Sequence, residues 1–197
     1  EYTATVTAAT QKIGLGLTAN NIGFLKANKT VHDLYARLGN FKKDDKIRIT
    51  GTMNGNDGTY TVSQSSNRTQ KLYTATTLSF ASSDKSISDS AKLLQDFNAN
   101  DLIFVSGSVP ANNGYYFVVS ASADGSKIIL NRSVTTAGAG ASVTLMRGHA
   151  ITVNEIVAND ETPANAVTIQ LYGDAVAQAI YPTSVYRIGS LGMRIQK

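Results

Sequence analysis

The sequence predicts an all-β, mainly antiparallel protein of two small tandem barrel or sandwich modules related by duplication, with two short helices and extended terminal segments. Three observations predict this: a motif that recurs without a gap, polar–apolar alternation of period two within each copy, and Asn, Asp and Gly turn residues between the alternating runs.

The recurrence comes first because it sets the domain plan. Phe41, Asp45, Ile47, Gly51, Asn56, Gly58, Tyr60 and Val62 are matched by Phe97, Asp101, Ile103, Gly107, Asn112, Gly114, Tyr116 and Val118, every pair 56 positions apart. The same offset holds from Val31/Ile87 and Leu38/Leu94 upstream to Lys71/Lys127 downstream. Within the first copy, Lys46-Ile-Arg-Ile-Thr50 alternates as a half-buried strand does, Asn56-Asp-Gly58 is turn chemistry that tolerates positive φ, and Thr59-Tyr-Thr-Val62 alternates again, which makes a hairpin. The second copy repeats it with 102–106, a longer turn over 110–114, and 115–119. A third strand is expected at 127–130, with 70–74 as its counterpart, and 143–146 and 76–80 are available as fourth strands.

Short helices are expected at 31–38, with Thr30 as cap and Gly39 as stop, and at 86–95, starting near Ser88 or Asp89. The plan is then an N-terminal arm over 1–29, a first module over 30–85, a second over 86–148 and a C-terminal β segment over 149–197. In the last, 150–157, 166–172 and 184–188 read as strands. The arm carries a Thr-Ala-Thr-Val-Thr strand signal and dispersed glycines, with too little apolar content for a core of its own, so the two terminal segments are expected to pair with each other or to be ordered by reaching onto a partner or a sister subunit.

Composition narrows the function. Hydrophobic residues are 42%, which argues against disorder, while charged residues are only 16%, leaving a surface rich in Thr, Ser, Asn and Gly. The absence of Cys removes disulfides, thiolate metal sites and cysteine nucleophiles. No apolar run reaches the ~18 residues of a membrane helix, and Glu1–Val6 lacks the basic and apolar regions of a signal peptide. The net charge of +4 is scattered, not clustered as on nucleic-acid surfaces, and suits an acidic protein partner.

Motifs for chemistry are sparse. His32 and His149 are the only histidines, too few for a zinc site without help, and are expected on a helix surface and in a loop. No Gly-x-Ser-x-Gly elbow and no phosphate-cradling loop is present. The run 54–58 resembles part of a calcium loop, but it lacks the distal Glu and reads better as a turn. Asp45 and Asp101 are expected to accept backbone N–H bonds at turns. The Asn-x-Ser/Thr sequons at Asn28, Asn67 and Asn131 are taken as coincidence. Tyr60 and Tyr116 are expected in the core, leaving Tyr73 and Tyr115 as exposed aromatics. No catalytic, cofactor or metal residues are assigned. The partner-facing loops are placed at Asn112, Asn113, Tyr115, Thr135 and Thr136.

The pattern Asp-x-Ile-x-Ile/Val-Thr/Ser-Gly, then Asn-x-Gly-x-Tyr-x-Val, resembles small β modules of tailed-bacteriophage virion proteins, notably head decoration (cement) and head–tail or tail components. Asp45, Ile47, Ile49, Thr50, Gly51, Asn56, Gly58, Tyr60 and Val62 carry it, with Asp101, Ile103, Val105, Ser106, Gly107, Asn112, Gly114, Tyr116 and Val118. The ending around Tyr181–Ile188 is loosely similar to the closing strand of head-associated phage proteins. The resemblance covers about half the chain. It implies a non-enzymatic virion component on the capsid surface, without cofactor, that binds the major capsid protein and associates with itself, a trimer being one form. Alternatives are a tail-tube, head–tail adaptor or baseplate part, or a bacterial surface adhesin or glycan-binding module. Neither a specific nucleic acid nor a membrane is expected as partner.

Overall fold

Alternation builds the strands. In Lys46–Thr50, Ile47 and Ile49 are buried while Lys46 and Arg48 face solvent. The computed structural model describes residues 16–65 and 69–172. Among these residues the strands are β1 (Gly16–Ala19), β2 (Ile22–Leu25), β3 (Thr30–Asp33), β4 (Lys46–Thr50), β5 (Gly58–Gln64), β6 (Lys71–Ala75), β7 (Leu78–Ala81), β8 (Ser86–Asp89), β9 (Leu102–Ser106), β10 (Gly114–Ala121), β11 (Lys127–Leu130), β12 (Val143–Arg147), β13 (His149–Val153) and β14 (Val167–Leu171).

They form two seven-stranded antiparallel sheets, ordered β1-β14-β4-β5-β13-β3-β2 and β6-β12-β9-β10-β11-β8-β7. The two orders correspond place by place. The protein is therefore all-β with two equivalent modules, as the alternation and the repeat predict. The second module, β6 to β12, lies between β5 and β13 of the first. The division at 30–85, 86–148 and 149–197 shifts accordingly: 16–65 with 149–171 make one sheet, and 71–147 make the other. The segments flanking the gapless run repeat as well. β1 and β2 correspond to β6 and β7, and β13 and β14 to β11 and β12. The strands at 71–75 and 78–81, assigned from sequence to the first copy, belong to the second.

Each sheet must fold back on itself, because one face of all seven strands of the first sheet supplies a single core, including Ala19, Phe24, Val31, Ile49, Val62, Val153 and Ile169. The second sheet does the same around Phe80, Ile87, Val105, Tyr116, Ile128 and Leu145. Burying each of these larger side chains contributes about 1.5–3 kcal/mol. The strand register shifts in the same place in both modules, between β5 and β13 near Val62/Val153 and between β10 and β11 near Val118/Leu130, as at a β-bulge, a feature that bends a strand. A return segment then closes each module. Phe24 exchanges backbone hydrogen bonds with Glu161 (2.8 and 2.9 Å), as Phe80 does with Ala137 (2.8 and 3.0 Å).

The predicted helices are not formed. Residues 31–33 and 86–89 are in β3 and β8, and each strand runs on into a turn, with one short 3-10 helix at Arg37–Asn40. The reason is one carboxylate in each copy. Asp33 accepts the N–H groups of Tyr35 (3.1 Å) and Arg37 (2.8 Å), and Asp89 those of Ala91 (3.0 Å) and Leu93 (2.9 Å). Such local bonds compete with helix formation. Ala36 (φ 59°) and Lys92 (φ 57°) are left-handed at matching places, which ends any helix there.

The expected N-terminal arm is corrected in part. Residues 1–15 lie outside the described residues, but 16–25 form β1 and β2 and put Ala19, Ile22 and Phe24 into the first core. Four consecutive buried residues in β2 give no alternation to read, and β1 is held by β14, far along the chain. The strand expected at 184–188 also lies outside the described residues.

The modules meet through Leu25 and Leu34 of the first and Leu102 and Phe117 of the second, all buried. His32 packs edge-on against Phe117 at 5.4 Å. At the junction Gly148 has no room for a side chain, because a Cβ would collide with the Asp33 carbonyl and Leu34 backbone.

Candidate interaction surface

The residues repeated in sequence serve the same structural purposes in both copies. Asp45 accepts the Lys42 N–H and Asp101 the Asn98 N–H, both at 2.7 Å, as predicted for turn carboxylates. Tyr60 Oη donates to Asn56 O (2.8 Å) and Tyr116 Oη to Asn112 O (3.0 Å), and both rings are buried, also as predicted. Gly51 (φ 88°) and Gly107 (φ 81°) turn the chain in the left-handed region.

The loop residues assigned to a partner are placed differently. Asn112 is fully buried. Its Nδ2 donates to Thr135 O (2.8 Å) and its Oδ1 accepts the Thr135 N–H (2.7 Å), so it ties the two loops together from inside. Asn56 does the same with Asn159 in the first module. The assignment of Asn112 to a partner is therefore corrected: an amide that satisfies a neighbouring backbone is not free to bind. Asn113 is exposed, with Oδ1 accepting the Ser108 N–H (3.1 Å). Thr135 and Thr136 have exposed side chains, and Thr136 Oγ1 accepts the Ser82 N–H (3.1 Å). Tyr115 is half-buried and belongs to a different surface.

That surface is the outer face of β6, β12, β9 and β10. Leu72 lies opposite Met146, Met146 opposite Phe104, and Phe104 opposite Tyr115, a row across four strands. The Phe104 and Tyr115 rings are 4.9 Å apart. Met146, Phe104 and Tyr115 pack on the Leu25–Leu34–Leu102–Phe117 cluster, and Leu72, at the sheet edge, is 63% exposed. The corresponding row of the first module is Gly16–Gln170–Arg48–Thr59, in the same registers. One fold therefore carries a polar row once and an apolar row once. The sequence held a signal for this: at the 56-residue offset Arg48 aligns with Phe104, Thr59 with Tyr115 and Gly16 with Leu72.

A second feature is a cleft of about 430 Å³ between the modules, lined by Thr30, His32, Asn100, Asp101, Arg147 and Thr152 among others. Thr30 Oγ1 and His32 Nε2 are 2.8 Å apart, the atom types of a nucleophile and a base. His32 is on a buried strand, not on a helix surface as expected, and burial lowers its pKa to about 3. An imidazole so reluctant to take a proton is a poor base at neutral pH. His149, expected in a loop, begins β13. The calcium-like run is also spent on structure. Asp57 accepts the Thr52 Oγ1 (2.7 Å) and N–H (2.8 Å), which holds its carboxyl below the usual range. Among the described residues, no group of three or more His, Cys, Asp or Glu side chains is placed to hold a metal.

Fold and surface together define a class, a duplicated β scaffold whose copies differ in one outer face. No family model, curated protein or solved structure matches the chain.

Proposed function

We propose that the chain is a non-enzymatic structural protein that acts by protein–protein contact, and that its setting is the tailed-phage virion, as a cement protein on the major capsid protein shell. The observation that supports contact is the exposed Leu72 at the end of the half-buried Met146–Phe104–Tyr115 row, apolar in a chain otherwise poor in charge and rich in Thr and Ser, where the counterpart row is polar. The spending of Asp45, Asp57, Asn56 and Asn112 on backbone bonds supports a scaffold in preference to a catalyst. The phage setting rests on the likeness of the repeated motif.

The experiment is co-sedimentation of the full chain with expanded empty shells of the major capsid protein from the same genome. Stoichiometric binding that raises the temperature of shell disruption is expected. A chain that stays in the supernatant, or that instead caps purified tails, overturns the cement role.

A further inference from the structure

We propose that β6 is a self-association seam: two copies related by a two-fold axis pair their β6 strands antiparallel, so that the apolar row of one runs into that of the other. This goes beyond the cement role and does not depend on it.

The edge is open. Among the described residues β6 pairs with β12 on one side and with no strand on the other, whereas the edges at β2 and β7 are covered by the bonds of Phe24 with Glu161 and Phe80 with Ala137. An open edge offers unpaired N–H and C=O groups to another chain, and proteins commonly guard it with a charge. The one charge on β6, Lys71, is drawn into an ion pair with Asp96. The outward neighbours of Leu72 are uncharged, with Thr74 and Thr144 sharing a hydroxyl bond of 2.8 Å. A two-fold contact sets this surface against itself, so its neutrality matters: no like charges meet.

The register is set by the strand. With the axis through Tyr73, whose side chain turns inward to Asp89 (2.7 Å), Leu72 stands opposite the second copy's Thr74, and Lys71 opposite its Ala75. The two Leu72 side chains become diagonal neighbours on one face, within apolar reach. The seam also continues an interface that already exists, since Met146, Phe104 and Tyr115 link Leu72 to the Leu25–Leu34 contact between the modules. The equivalent strand β1 carries Gly16 beside Gln170 and Arg48, and gives a second copy no anchor. A second copy is thus the occupant whose edge and charge the surface matches.

Sedimentation of the full chain tests this. The wild type is expected to be a dimer at tens of micromolar. Leu72→Asp, which alters an exposed side chain, is expected to weaken association by about 30-fold or more while leaving circular dichroism and the unfolding midpoint unchanged. Gln170→Asp, on the matching row of the first module, is expected to remain a dimer. Because the chain has no cysteine, Leu72→Cys with a short bis-maleimide is expected to give a covalent dimer, and Gln170→Cys is not. A monomeric or trimeric wild type, or a Leu72→Asp variant that still dimerises, overturns the seam. A monomer whose Leu72→Asp variant loses shell binding overturns the seam and supports the cement role. A dimer that does not bind shells supports the seam and removes that role.

Discussion

Replacing Asn112 by Ala separates a structural amide from a binding one. Asn112 is fully buried, and its two side-chain bonds go to the N–H (2.7 Å) and carbonyl (2.8 Å) of Thr135. Alanine removes both bonds and strands the two backbone groups. Each lost bond is worth about 1 kcal/mol net, and a stranded buried group costs about 1–3 kcal/mol, reduced where water reaches the partly exposed loop. The expected loss is about 2–4 kcal/mol. Asn112→Asp is expected to be worse at neutral pH, because its carboxylate keeps the bond from the N–H but sets an acceptor against the carbonyl. Asn56→Ala is the internal control, since Asn56 binds the Asn159 N–H and carbonyl (3.1 Å each) and Glu161 Oε2 (3.0 Å), and it should lose at least as much. Urea unfolding at pH 7 reads all three. The reasoning is refuted if Asn112→Ala shifts stability by less than about 0.5 kcal/mol, the range of an ordinary surface change, while weakening a partner contact.

Burial carries two further predictions. Tyr116→Ala removes a buried ring that also sits under the Arg132 guanidinium at 4.0 Å, and is expected to cost roughly 3–5 kcal/mol in the same assay, with a loss under about 1 kcal/mol counting against its place in the core. His32, whose folded pKa is lowered by burial to about 3 against ~6.5 unfolded, takes up its proton more readily when the chain unfolds, so stability is full above about pH 6.5 and falls as pH drops from there toward 3. The expected loss from this group is about 2 kcal/mol by pH 5, read as a pH-dependent unfolding midpoint that flattens in His32→Gln. An unchanged slope in that variant counts against it.

How much of this was legible depended on whether a feature was local. Strand alternation and turn chemistry act over a few residues, so β4, β5, β9 and β10 and their hairpins are readable from sequence alone. So is the use of Asp45 and Asp101, because their partners lie three residues away. The segments after Thr30 and Ser86 mislead because their apolar spacing suits a helix, and only the bonds from Asp33 and Asp89 to the succeeding backbone reveal a strand ending in a turn. Asn112 misleads for a related reason. Asn in a Gly-containing loop has the composition of exposed sequence, whereas its partner Thr135 is supplied from 23 residues away. The apolar row was half legible. Phe104, Tyr115 and Leu72 can be compared with Arg48, Thr59 and Gly16 at the constant offset, but Met146 matches Gln170 at a different one and needs the sheet to be found.

The insertion explains why the offset changes. The chain leaves the first module after β5, at the place where the second has its tight turn between β10 and β11, and returns at β13. From β1 to β5 the two modules run in step 56 positions apart; after the insertion the first module trails, with Val167 of β14 matching Val143 of β12. The identity of Lys71 and Lys127 at the end of the gapless run is thus not a structural equivalence, since Lys71 begins β6 and Lys127 begins β11. The arrangement is sterically simple because the inserted module starts and ends side by side, with Lys71 opposite Arg147 across β6 and β12. A module whose ends adjoin can be received within a hairpin connection without disturbing the strands on either side. The same geometry sets β6 where the inserted module begins, on an outer edge, so the strand that bears Leu72 is free of the host module's sheet. Two copies of one fold satisfy the same internal bonds, and their common features report folding. What differs between them and stays exposed, Leu72 at the edge of the apolar row on the inserted copy, is where a function distinct from folding has room to act.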